Sequence, residues 1–316
     1  MGQHLSLDRN LDVASGVVAQ LSPLVRRVIS PNPGPFTFTG TCTYIVGRGN
    51  VAVIDPGPRS EDHLAGIVAA LAGESVSHIV VTHTHRDHSP GAAELQRLTG
   101  ARIVGCGPHI AARELALGEI NRLDASADLA YAPDATMGEG DAISGPGWTL
   151  EALPTPGHTA NHLAFALPEE RALFSGDHVM AWSTTIVAPP DGSMAAFMAS
   201  LDKLKGRDDD LHWPGHGGPV RDPARFVRAL ITHRRLREAS VLARVQAGDR
   251  RISDIAARVY EGLAPALLGA ATLSTFAHIE DLAARGLVCS DGPPTLDAAY
   301  FLPVSYTHLT LPTNRE

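Results

Sequence analysis

The segment VTHTHRDHSPG, Val81–Gly91, places His83, His85, Asp87 and His88 within six residues. It continues the β-branched run HIVVTHTH, which predicts a buried strand. In extended chain residues two apart share a face, so His83 and His85 point the same way. As the chain turns beyond the strand, Asp87 and His88 reach a second point. Imidazole and carboxylate are zinc donors, with Zn–N near 2.0–2.1 Å. Burying four such groups together without compensation is costly, so the spacing argues for metal ligation rather than a satisfied core.

Three later sites supply the same donor types. PTPGHT, Pro154–Thr159, puts His158 in a tight turn directly after a predicted strand. SGD, Ser175–Asp177, ends another strand with a carboxylate, and WPGHGG, Trp213–Gly218, holds His216 between glycines that let backbone come close. Each alone is an ordinary turn signal.

The elements that must position these residues alternate along the chain. LVRRVIS, FTFTGTCTYIVG and VAVIDPG read as strands. SEDHLAGIVAALAG reads as a helix with Leu64, Ile67, Val68 and Leu71 on one face and Ser60 as N-cap. Beyond HIVVTHTH come the helix PGAAELQRLTG, the strands ARIVGC, WTLEALP, NHLAFALP and RALFSGD, the helix SMAAFMASLDKLKG and the short run LHWPGHG. Such alternation predicts a layered α/β domain. From Arg221 the chain turns helical, and a late hydrophobic AAYFLP segment gives it the outline of a small winged-helix domain. The expected divisions are a lead segment, 1–22; a catalytic domain, 23–218; a winged-helix-like domain, 219–303; and a tail, 304–316. That tail, VSYTHLTLPTNRE, resembles translated adapter read-through and is expected to be non-native and dispensable.

Composition narrows the function classes. The 316 residues are 44% hydrophobic and 19% charged, which allows a large core and excludes general disorder. No apolar run reaches the roughly 20 residues of a membrane span, and the N-terminus lacks the pattern of a secretory signal. Three cysteines at wide spacing exclude a disulfide framework and predict a cytoplasmic protein. The net charge of −8 disfavours nonspecific nucleic-acid binding. Over 217–290, however, 11 arginines face 7 acidic residues.

Taken in order, HxHxDH, His, Asp and His, each at a strand end, resemble the metallo-β-lactamase superfamily over nearly all of residues 23–290. NPGPFTFTGTCTYIVG, THTHRDHSPG and the helical extension are most similar to its β-lactamase-like protein 2 group. The resemblance implies a four-layer αβ/βα sandwich with the helical domain appended. It implies a first zinc on His83, His85 and His158, a second on Asp87, His88 and His216, and Asp177 bridging both. Asp55 in VIDPG matches an acidic residue that supports such sites from behind, and reads equally well as a turn-former. Iron or manganese would also suit these donors.

The implied reaction is hydrolysis by a metal-bridging hydroxide, with Asp87 also a candidate proton shuttle. Zinc β-lactamases proper lack a carboxylate at the Asp177 position, so the resemblance points instead to a small ester, thioester or lactone. Trp182, Ser183, Thr184 and Thr185, just beyond Asp177, are expected to line the substrate pocket. One alternative is a single-strand-specific endoribonuclease; against it stand the negative charge and 5% aromatic content. Another is a non-catalytic, metal-stabilised scaffold whose arginine face binds nucleic acid or a partner.

Overall fold

A computed structural model describes residues 5–10, 14–117, 119, 121 and 126–303; the tail 304–316 lies outside them. The first sheet runs β1 (Ala19–Gln20), β2 (Val25–Ile29), β3 (Cys42–Arg48), β4 (Asn50–Ile54), β5 (Ser75–Val81), β6 (Arg102–Gly105), β7 (Ala135–Thr136), in that order in space. β1 to β4 form antiparallel hairpins, and β4 to β7 are parallel. The parallel steps need crossovers. Helices α1 (Glu61–Leu71) and α2 (Ala92–Thr99) provide the first two.

The second sheet has the order β12-β11-β10-β9-β8, from β8 (Ala142–Gly145), β9 (Trp148–Pro154), β10 (Leu163–Leu167), β11 (Ala172–Gly176) and β12 (Leu211–Pro214). Only β11–β12 is parallel, crossed by α3 (Met194–Lys205). The sheets meet through aromatics: the Tyr44 ring lies 5.1 Å from Phe174 and 6.2 Å from Trp213. Outside the second sheet, Leu153, Ala164 and Leu173 pack against Phe197 and Leu201 of α3 and Val227 and Leu230 of α4 (Pro223–Gln246). Helix, sheet, sheet, helix is the four-layer αβ/βα arrangement. A further core joins the end of α4 to α5 (Ile252–Val259), α6 (Leu268–Ala284) and the two-stranded sheet β13 (Cys289–Ser290) with β14 (Tyr300–Phe301). No described helix is long and apolar enough to cross a membrane.

Two local expectations change. FTFTGTCTYIVG does not extend as one strand. Phe38 and Gly40 take positive φ, and a Cβ on Gly40 would lie 2.0 Å from the Ser30 carbonyl, so the chain turns there and β3 starts at Cys42. On α1 the buried face uses His63, Ile67 and Leu71, while Val68 is exposed. The His63 ring meets Thr43 Oγ1 at 2.7 Å through Nε2, so an imidazole anchored at one nitrogen takes an apolar side chain's place. Ser60 does cap α1, accepting from the His63 amide.

Chain reversals at the C-terminal strand ends depend on close backbone approach. Gly157 follows β9 with φ +141°, and a Cβ there would sit 2.3 Å from Phe197 Cα of α3. Gly140 has φ +82° but open space around it. Gly140→Ala is expected to cost about 1 kcal/mol, the left-handed penalty alone. Gly157→Ala should cost about 3 kcal/mol or more, because overpacking adds to it. Urea unfolding of both variants measures the difference; equal losses would mean that α3 does not hold this turn.

Candidate metal centre

Five segments reach one end of the sandwich, each from the C-terminal end of a strand: Asp55 after β4, His83–His88 after β5, His158 after β9, Asp177 after β11 and His216 after β12. Beyond β5 the extended alternation holds for two more pairs. His83 and His85 turn to one side. Thr82 and Thr84 turn to the other, bonding Asp55 and His109. The His88 and Ser89 amides then donate to the His85 carbonyl at 2.9 and 3.2 Å, a tight turn that swings Asp87 and His88 inward. Gly215 matters for a different reason from the turn glycines. A Cβ there would lie 2.4 Å from Asp177 Oδ1 and 2.7 Å from the His88 ring.

All seven residues expected as ligands converge. His85 Nδ1 lies 3.1 Å from His83 Nε2 and 3.0 Å from His158 Nε2, and His158 Nε2 is 3.6 Å from Asp177 Oδ2. These four form one group able to hold an ion. A second comprises Asp87, His88 and His216. There His216 Nε2 stands 3.1 Å from Asp87 Oδ2 and 3.3 Å from His88 Nε2. Asp177 faces both groups, with Oδ2 3.3 Å from His216 Nε2 and Oδ1 3.6 Å from His88 Nε2.

The opposite side of four of the rings, those of His83, His88, His158 and His216, is fixed. Asp55 accepts from the Thr82 amide and hydroxyl at 2.8 and 2.7 Å and meets His88 Nδ1 at 2.9 Å. Since the Thr82 hydroxyl donates to Asp55, it accepts from His83 Nδ1 at 2.9 Å. Carbonyls can only accept, so His158 Nδ1 donates to Ile186 at 2.7 Å and His216 Nδ1 to Gly40 at 3.3 Å. These partners assign the tautomers of His83 and His158, whose Nε2 turns to the cluster, and orient the His216 ring with Nε2 the same way. Asp55 is a turn residue as well, with φ +49°, so one side chain satisfies both readings of VIDPG.

Burial holds the His83, His85 and His158 imidazoles below their ordinary range, His85 to about 3. They are neutral, as metal-binding imidazoles must be. His88 and His216 are driven the other way. Burial opposes their charge, but Asp87 and Asp177 outweigh it and raise both, His216 to about 10. For Asp87 and Asp177 burial likewise favours the neutral acid; the two imidazoles prevail and keep both well below the usual carboxylate range. Asp177 Oδ1 is buried without a hydrogen-bond partner. Around a tetrahedral zinc the nitrogens stand about 3.3 Å apart, given Zn–N near 2.0–2.1 Å. Uncharged lone pairs facing one another at 3.0–3.1 Å, beside that orphaned carboxylate oxygen, fit a cation.

The loop beyond Asp177 is arranged differently from the pocket expected of it. Thr185 is buried, and its hydroxyl donates to the carbonyls of Asp177 and His178 at 2.6 and 3.0 Å. It braces the backbone instead of lining a cavity. Trp182 is largely buried and stacks on Phe38 with ring centroids 5.0 Å apart; Ser183 and Thr184 are half-buried. One contributor went unread in the sequence. His162 Nε2 accepts from the Asp177 amide at 3.1 Å while Nδ1 meets Thr155 Oγ1 at 2.8 Å. Its only signal was a histidine opening the otherwise apolar run HLAFAL.

The model of the metallo-beta-lactamase superfamily matches residues 36–216. An atrochrysone carboxyl ACP thioesterase of Cryptosporiopsis sp. (strain 8999) is 32% identical over 228 residues, 71% of this chain and 64% of that protein. The chain thus spans under two thirds of that relative's length. A beta-lactamase-like protein 2 homolog of Caenorhabditis elegans is 31% identical over 231 residues, 71% of this chain and 72% of that one. Among solved structures, a beta-lactamase domain protein from Burkholderia ambifaria superposes with a TM-score of 0.77 at 21% identity, covering 93% of this chain and 96% of that one. A metallo-beta-lactamase family protein from Thermus thermophilus gives 0.72 at 23% identity, with 90% and 100% covered. The chain belongs to the metallo-β-lactamase superfamily and has its hydrolase fold.

Proposed function

We propose that this protein hydrolyses small acyl compounds, thioesters ahead of esters and lactones, at a site for two zinc ions. The observation that carries the reading is Asp177, whose Oδ2 lies between the two donor groups, 3.6 Å from His158 Nε2 and 3.3 Å from His216 Nε2, while Oδ1 lies 3.6 Å from His88 Nε2. His83, His85 and His158 would hold the first ion, and Asp87, His88 and His216 the second. The donor set also admits iron or manganese. When bound, the metal pair supplies an activated water and a Lewis acid for the scissile carbonyl.

The chain's own groups do the rest. Asp87 is the more exposed carboxylate, at 26% of its side chain against 10% for Asp177. Thr41 Oγ1 donates to it at 3.2 Å. The exposed side of Asp87 suits it to accept a hydrogen bond from the attacking water and steer the released proton toward the departing thiol. Water adds to the carbonyl carbon, the C–S bond breaks, and an acid and a thiol leave. That several relatives are named ACP thioesterases supports a thioester. All three cysteines are free, which supports a cytoplasmic setting.

RNA is the second reading, favoured by Arg225, Arg228 and Arg235, which stand exposed on α4. The other three arginines of α4 are engaged within the protein, Arg244 by an ion pair with Asp249. Arg234 is buried, and Arg237 donates to the Val259 carbonyl and lies 4.2 Å above the Tyr260 ring. Three cations neutralise few phosphates, and such binding weakens steeply with salt.

Elemental analysis of protein purified without chelator is expected to give close to two transition-metal ions per chain. A reproducible value near one, unchanged by added zinc, contradicts the shared Asp177. Asp177→Ala should abolish thioester turnover while leaving the fold largely intact. Run at physiological salt against single-stranded RNA, the same pair of proteins ranks the two readings. Asp177-dependent RNA cleavage with no acyl hydrolysis would reverse their order. Asp55→Asn keeps the shape behind His88 but removes the charge, and should weaken metal affinity about 10–100-fold. Chelator competition measures this, and wild-type affinity would show that Asp55 only shapes the turn.

A further inference from the structure

The segment after Asp177 contacts two of the converging residues, from two different strand ends. Through its hydroxyl, Thr185 holds the Asp177 carbonyl at 2.6 Å. Through its carbonyl, Ile186 holds His158 Nδ1 at 2.7 Å. The position of Thr185–Ile186 therefore sets the aim of both Asp177 and His158.

Arg234 of α4 grips that segment. Its Nη2 donates to the Thr185 carbonyl, and its guanidinium lies 4.9 Å above the Phe197 ring of α3. The residue is only 3% exposed, and it forms no ion pair with a carboxylate among the described residues. Burial, with Arg237 nearby, draws the guanidinium down to about 10, still a cation at neutral pH. A buried cation with no anionic partner is expensive and is a poor device for stability alone. What it gains here is a charge-assisted hydrogen bond to one carbonyl, the stronger kind.

We propose that Arg234 is a positioning residue: from α4 it clamps Thr185–Ile186 and so fixes Asp177 and His158 for metal binding and turnover. The inference rests on the metal-site reading above. It gives α4 a role beyond packing: the helix is the outer jaw that holds two converging side chains in register.

The test compares Arg234→Met, which keeps length and apolar contact but removes the donor, with Arg234→Lys, which keeps a cationic donor. Metal affinity is read by competition with a chromophoric chelator, and the site's symmetry by the visible spectrum of the cobalt-loaded protein. Arg234→Met is expected to bind metal about 10–100-fold more weakly. It should also shift the cobalt spectrum and lower kcat with KM little changed. Arg234→Lys should recover part of each loss, which a purely structural role would not produce. Thr185→Val removes the next link, and the double variant should be no worse than the poorer single, as expected for one chain of contacts.

Arg234→Met with wild-type metal affinity, spectrum and kcat would overturn the clamp. Should that variant not fold, Thr185→Val decides, and unchanged affinity there overturns it equally. Metal affinity is read without substrate. A wild-type protein that binds metal but hydrolyses no acyl compound would therefore sink the proposed substrate and leave this test standing.

Discussion

Seven donor side chains share a space a few ångströms across, and their mutual repulsion sets the terms for the surrounding structure. Nitrogens 3.0 to 3.3 Å apart and carboxylate oxygens 3.1 to 3.6 Å from them tolerate one another only where positive charge lies among them. Even the protonation pattern follows this rule. The three imidazoles around His85 are neutral, whereas His88 and His216, closest to Asp87 and Asp177, favour the charged form. Four of the five rings are then locked from behind, because a donor that rotates would lose its place: His88 by Asp55, His83 by Thr82, His158 by Ile186 and His216 by Gly40.

The fold meets this demand by separating rigidity from reactivity. The apolar work is done between the sheets and under the helices, where Tyr44, Phe165, Phe174 and Trp213 pack. The polar groups are confined to strand ends, where the chain must turn in any case. Turning there leaves little room, so glycines recur beside the donors. At Gly215 a methyl group would collide with Asp177 and His88 themselves. A rigid strand with a functional side chain just past its end holds that side chain more precisely than a long loop can.

The donors were legible in sequence because their signal is local: alternation along β5 and small residues around single polar ones at later strand ends. The sandwich was legible for the same reason, since strand and helix periods differ. What escaped depends on partners distant in sequence. His162 looks like one polar residue in an apolar strand until the chain brings the Asp177 amide to it, 15 residues on. Arg234 sits in THRRLRE, indistinguishable by pattern from its exposed neighbour Arg235. Thr185 reads as a pocket residue because it follows Asp177, yet its hydroxyl turns to backbone. FTFTG alternates like a strand, but the demands of Gly40 against Ser30 override propensity.

The two sheets also touch at the site, where Thr41 bridges to His216 and the Cys42 amide donates to the Gly215 carbonyl at 2.8 Å. His83, His85, Asp87 and His88 come from the first sheet, while His158, Asp177 and His216 come from the second. Whatever binds among them is a rivet through the seam. Ligand binding to the native form alone raises its stability by mass action, and here that gain acts where the halves would part. The lifetime of the chain against proteases would thereby be tied to the supply of any ion held there, so scarcity would cost the cell the chain itself as well as its catalysis.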